Sequence, residues 1–72
     1  MYAFAKSIRN AEHVQRFTIE PTPAGWEVRE EHDSQVVRQR YFQDWHRVER
    51  ARRELVLRLS ALKERGWVEA GN

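Results

Sequence analysis

The sequence predicts an α+β domain, a three-stranded antiparallel β-meander packed against one long C-terminal amphipathic α-helix. Three observations point to it. Between Trp45 and Leu62 apolar residues recur at spacings of three and four, the period of one helix face. Upstream, three runs between His13 and Phe42 alternate apolar with polar residues, the period of half-buried strands. Turn-forming residues separate the runs: Pro21-Thr22-Pro23-Ala24-Gly25 after the first, His32-Asp33 after the second.

Residues 1–12 form an N-terminal arm. Phe4, Ile8 and Ala11 would share a helix face, whereas Tyr2 and Phe4 equally fit a short strand. Large apolar groups are unfavourable in water, so the arm is expected to be at least partly ordered. A short helix around Ser7–Glu12 is the favoured form.

The sheet occupies residues 13–42. Its first strand, about His13–Glu20, puts Phe17 and Ile19 on one face and Arg16 and Thr18 on the other. The second, Trp26–Glu31, turns Trp26 and Val28 inward and Glu27 and Arg29 outward. The third, Gln35–Phe42, aligns Val37 and Tyr41 with the inner face and Val36, Arg38, Arg40 and Phe42 with the outer one. One register is self-consistent. Glu31 opposite Ser34 sets Val28 against Val37 and Glu27 against Arg38. In the first hairpin, Phe17 opposite Val28 sets Ile19 against Trp26 and Arg16 against Arg29.

The helix, residues 44–66, is marked at both ends. Asp44 suits the N-cap, where a carboxylate accepts from free N–H groups of the first turn. Gly66 suits the left-handed residue of a Schellman cap, with Trp67 folding back on Leu62. The stripe Trp45, Val48, Ala51, Leu55, Leu59 and Leu62 runs roughly 30 Å and covers the apolar sheet face. Arg52 falls inside it and is expected to snorkel or to pair with a carboxylate such as Glu30.

Seventy-two residues suit a single small domain. Such a core contributes only about 3–5 kcal/mol, so disulfides, metals or a partner chain often assist. Cysteine is absent, which excludes disulfides, thiolate zinc sites and cysteine nucleophiles. No apolar run reaches a membrane span, and the opening residues lack the order of a signal peptide. A soluble, cytoplasmic protein is expected.

Thirteen basic and eleven acidic residues nearly cancel, yet only Lys6 and Lys63 are lysines. Arginine binds phosphate bidentately and stacks on aromatics; a genome rich in arginine codons gives the same bias. Catalysis finds little support. Ser7, Ser34 and Ser60 have no evident base among His13, His32 and His46, and the paired acids lack a cleft. His32-Asp33 and Asp44-x-His46 have no third ligand at a metal-binding spacing. No glycine-rich phosphate loop occurs. No enzyme activity, cofactor, metal or small-molecule substrate is expected.

Arg16, Arg29, Arg38 and Arg40 project from three adjacent strands on the expected outer face. A sheet laid on DNA brings such side chains to phosphates and base edges. Phe42, with Tyr41 at the edge, can instead stack on unpaired bases. An ordinary solvated face fits as well, and Glu20, Glu27 and Glu31 count against a phosphate footprint. In outline the chain resembles the sheet-plus-helix DNA-binding domains of plant ethylene-response factors and of integrase arm-binding domains. Trp26 and Arg29 in the second strand and Tyr41-Phe42 before the helix carry that likeness. It is one of topology over about residues 13–65, because the glycine before the aromatic and the alanine-rich helix of those domains are missing here.

The helix supports a rival function. Its Glu49–Arg53, Arg50–Glu54 and Glu54–Arg58 pairs at i,i+4 mark a solvated surface. Val56 and Leu57, however, lie off the buried stripe. The leading expectation is a small non-catalytic binding module that takes nucleic acid through the four sheet arginines. The alternative is a dimerising protein-interaction module with contacts at Val56, Leu57, Tyr2 and Phe4.

Overall fold

A computed structural model of the chain describes residues 4–70. In chain order it has β1 (Phe4–Asn10), β2 (His13–Thr22), β3 (Gly25–His32), β4 (Gln35–Phe42), α1 (Trp45–Glu64) and β5 (Val68–Glu69). The strands form one five-stranded sheet in the order β4-β3-β2-β1-β5, and each adjacent pair is antiparallel. The expected α+β architecture is observed, with two strands more than the three anticipated.

The first extra strand replaces the helical turn expected over Ser7–Glu12. Residues Phe4–Asn10 run along β2 instead, with Phe4 opposite Ile19 and Ile8 opposite Gln15. A spacing of four residues is close to a helical turn and also twice the strand period, so Phe4 and Ile8 share a face in either state. Burial decides between them: Ile8 is fully buried in the sheet and Phe4 packs against the core. Ala11, at φ 55°, begins the turn into β2.

The second extra strand follows the helix cap. Gly66 (φ 103°) donates its N–H to the Lys63 carbonyl at 3.1 Å, and Trp67 donates to that of Leu62 at 3.1 Å. These are the two bonds of a Schellman cap. They direct the chain so that Val68 and Glu69 pair with Arg9 and Ile8. Lys63 Nζ meets the Glu69 carboxylate at 2.6 Å and Lys6 lies 3.8 Å away. Both cations, Lys63 foremost, hold the Glu69 pKa below the usual carboxylate value.

Asp44 caps α1, its Oδ1 accepting the His46 N–H at 3.0 Å. Val48, Ala51, Leu55 and Leu59 bury against Ile8, Phe17, Ile19 and Val28, with Phe4, Trp26, Phe42, Leu62 and Trp67 around them. Trp45 stands at the rim, its ring 5.0 Å from that of Trp26. A 20-residue helix is roughly 30 Å long, against about 19 Å for the width of five strands. It therefore reaches from β4 on one edge to β5 on the other.

Both expected registers are corrected. Phe17 faces Glu30 rather than Val28, Ile19 faces Val28 rather than Trp26, and Arg16 faces Glu31 rather than Arg29. This slide of two residues leaves every side chain on its expected face. It arises because only Pro23-Ala24 form the turn, β2 running on through Pro21 and Thr22. The second hairpin slides by an odd number. Its loop is Asp33-Ser34, at φ 51° and 71°, the double positive φ of a type I′ turn. His32 then faces Gln35, and a bulge at Glu30/Glu31 shifts β4 once more. Glu30 opposes Arg38, Val28 opposes Arg40 and Trp26 opposes Phe42. An odd shift exchanges faces, so Arg38, Arg40 and Phe42 lie on the helix side and Tyr41 on the open side. Asp33 secures the turn. It accepts the Val14 N–H at 2.8 Å and contacts His13 Nδ1 at 3.0 Å, and these two partners lower its pKa.

Candidate nucleic-acid interface

The structure divides the four arginines that sequence reasoning placed on one face. Arg16 and Arg29 remain on the open side of the sheet, where carboxylates match them. Arg29 Nη2 donates to Glu27 at 3.0 Å and its Nη1 lies 3.7 Å from Glu31. Arg16 is the cross-strand neighbour of Glu31. Glu27 is buried although no layer covers it, because Arg29, Gln39 and Tyr41 close over it. The Gln39 amide donates to Glu27 Oε2, as does the Tyr41 hydroxyl at 3.4 Å. Gln39 first and Arg29 next lower the Glu27 pKa. Glu20 stands opposite Glu27, so this face presents as much negative as positive charge.

Arg38 and Arg40 lie on the other side, beside α1. The helical repeat carries Arg47, Glu54 and Arg58 along the flank that looks toward β4, with Arg50 at its rim. A cleft of about 240 Å³ runs between the two elements, lined by Arg40, Phe42, Arg47, Arg50, Ala51 and Glu54. Behind it sits Glu30, whose side chain is 4% exposed. Arg58 donates to Glu30 Oε1, while Arg40 and Arg38 stand 3.6 and 3.8 Å from Oε2. Arg40 also lies 3.9 Å from Glu54. Of the two expectations for Arg52, snorkelling or pairing with a carboxylate such as Glu30, the pairing with Glu30 is not made: its guanidinium lies over the Phe4 ring at 6.0 Å, on the flank of α1 turned toward β1.

Arg40 is the most confined cation of this group, its side chain 22% exposed. Its Nε and Nη2 are buried without a hydrogen-bond acceptor. Burial, and then the charge of neighbouring Arg38, push its pKa below the usual arginine value. An anion in the cleft would offset both effects electrostatically.

A larger cleft of about 560 Å³ adjoins the first, lined by Thr22, Ala24, Trp26, Tyr41, Phe42, Gln43, Asp44 and Arg47. Arg47 lines both. Sequence reasoning passed over Arg47, Arg50 and Arg58, since arginines interleaved with glutamates, Arg50 and Arg58 each with Glu54 at i,i+4, read as a self-neutralised surface. The signal available was the flank shared by Arg47, Glu54 and Arg58, which carries two arginines for one acid.

Of the residues assigned to a dimer contact, Leu57 is 70% and Val56 39% exposed. Phe4 is half-buried, packed against the core. Tyr2 lies outside the described residues. Among the described residues no group of three or more His, Asp or Glu is placed to hold a metal ion. No described helix is long and apolar enough to cross a membrane. Comparison with protein-family models, curated proteins and solved structures finds no match to this chain. Its own geometry therefore carries the functional reading.

Proposed function

We propose that the chain is a small non-catalytic cytoplasmic binding module that takes nucleic acid by its phosphate backbone along the groove between β4 and α1. One observation carries the reading. Arg38, Arg40, Arg47, Arg50 and Arg58 gather at this groove against two carboxylates, Glu30 and Glu54. That is a surplus of three positive charges in a chain whose formal net charge is +2, so the rest of the molecule is slightly acidic. Arginine forks match phosphate oxygens, and backbone phosphates supply closely spaced charge along a strand. Glu30 fixes the arginines from behind and leaves their outer donors for a ligand.

Fluorescence anisotropy with labelled mixed-sequence oligonucleotides tests this. Affinity should fall steeply between about 50 and 200 mM salt. Arg47→Gln with Arg50→Gln should flatten the log–log salt slope by about 2, while Arg16→Gln leaves binding within twofold. Absence of binding at low salt overturns the proposal. The exposed Leu57 and Val56 favour a second reading, self-association through α1. Sedimentation equilibrium at micromolar concentration should then give a dimer that Leu57→Glu dissociates; a species of 8.7 kDa at every concentration overturns it.

A further inference from the structure

We infer that the strand held in the groove is single-stranded, and that the aromatic cleft at the groove's end receives one of its unpaired bases. This rests on the phosphate-binding reading above and adds the form of the ligand. Arg47 lines both clefts, so a phosphate bound beside it places the next nucleotide at the mouth of the larger one. That cleft, about 560 Å³, has room for a base. Three aromatic residues line it: Tyr41, from the open side of the sheet, is 66% exposed, and Phe42 and Trp26, from the helix side, are half-buried.

The walls are held in place before any ligand arrives. Trp26 packs against Trp45 with centroids 5.0 Å apart and the rings tilted by 54°, and the Arg40 guanidinium lies 5.7 Å from the centre of the Phe42 ring. Gly25 brings the β2–β3 hairpin against the end of β4; a Cβ there would run into the Phe42 carbonyl. Polar groups complete the lining. Thr22 Oγ1 accepts the Ala24 N–H at 3.3 Å, and a hydroxyl that accepts can still donate. The Gln43 amide supplies a donor and an acceptor for a base edge.

Charge orients the ligand. Asp44 lines the aromatic cleft and not the basic one, so its carboxylate repels a phosphate from the first while Arg40, Arg47 and Arg50 attract it to the second. A base is thereby directed onto the aromatic rings and the backbone onto the arginines. Duplex nucleic acid keeps its bases stacked and paired inside, whereas an unpaired strand can offer them to aromatic side chains.

The test uses the full chain with ten-residue oligo-dT and a duplex of equal length and mixed sequence, both by anisotropy at one salt concentration. The single strand should bind about tenfold more tightly. Tyr41→Ala should weaken it by about tenfold, the range for one base stacked on an aromatic ring, and leave duplex affinity unchanged. Tyr41→Phe, which keeps the ring, should bind as the unaltered protein does. Independently of any variant, 2-aminopurine within an oligonucleotide should be quenched on binding. Salt-dependent binding with equal affinity for both forms, no Tyr41 effect or no quenching would overturn this inference alone and leave the groove standing. Absence of binding to either form would overturn both.

Discussion

Glu30→Gln is the substitution that most directly probes how the groove is built. The carboxylate is 4% exposed and faces Arg58, Arg40 and Arg38. Glutamine keeps the size and the hydrogen-bonding carbonyl but removes the one charge that the three guanidinium groups share. Removing one partner of a fully buried pair is destabilising by about 3–5 kcal/mol. These arginines keep contact with solvent, Arg38 being half-exposed, so screening lowers the expected loss to about 1–3 kcal/mol. For a domain this small that is a large share of the total, and each kcal/mol lowers Tm by about 4–8 °C. Thermal melts followed by circular dichroism would measure it, with exposed Glu20→Gln as the control, expected within about 0.5 kcal/mol. Added salt should recover part of the loss, because it screens repulsion among the unpaired arginines. Oligonucleotide affinity of the folded variant should rise with the added positive charge. A melt that matches wild type, or one lowered no further than that of Glu20→Gln, would refute the premise that Glu30 holds the cluster together.

Three further outcomes follow from the core, one turn and the carboxylates. Leu59→Ala, in the buried stripe, should destabilise by about 2–5 kcal/mol, whereas exposed Leu57→Ala should change a urea midpoint little; equal losses would show that the buried face is misassigned. Gly25→Ala meets both a φ of 142° and the Phe42 carbonyl, so it should destabilise by about 1–3 kcal/mol, and an unchanged Tm would remove the close approach. Glu27, Asp33 and Glu69 all have folded pKa values below their ordinary ones. Their stabilisation is therefore complete above the ordinary carboxylate range of about 4 and is lost as pH falls through the folded values. Tm measured downward from neutral pH should hold until that range and then drop, and Glu27→Gln should reduce the drop; a Tm flat to about pH 2 would contradict it.

The helix was legible because its signals are local. Asp44 at the N-cap, Gly66 and Trp67 in the Schellman cap and the stripe through Val48, Leu55 and Leu59 depend on residues a few positions apart. The apolar faces of β2 and β3 were legible for the same reason, and a register error of two residues left them intact. The first strand was not, since Phe4 and Ile8 share a face as helix or as strand, and only burial against Ile19 and the core decides between them.

The candidate site was least legible. Whether Arg38 and Arg40 face the helix or the open side turns on one parity, set by the type I′ turn at Asp33-Ser34 and the bulge at Glu30/Glu31. Side-chain alternation within β4 is encoded locally and holds in any register. The absolute face comes only from pairing with β3, where a slip of one residue exchanges every side chain. Residue spacing thus determined which arginines travel together along a strand or a helix flank. Tertiary pairing alone brought the β4 pair beside Arg47 and Arg58, around a glutamate 28 positions from Arg58, because such a contact depends on sheet register and helix rotation, which no local period contains.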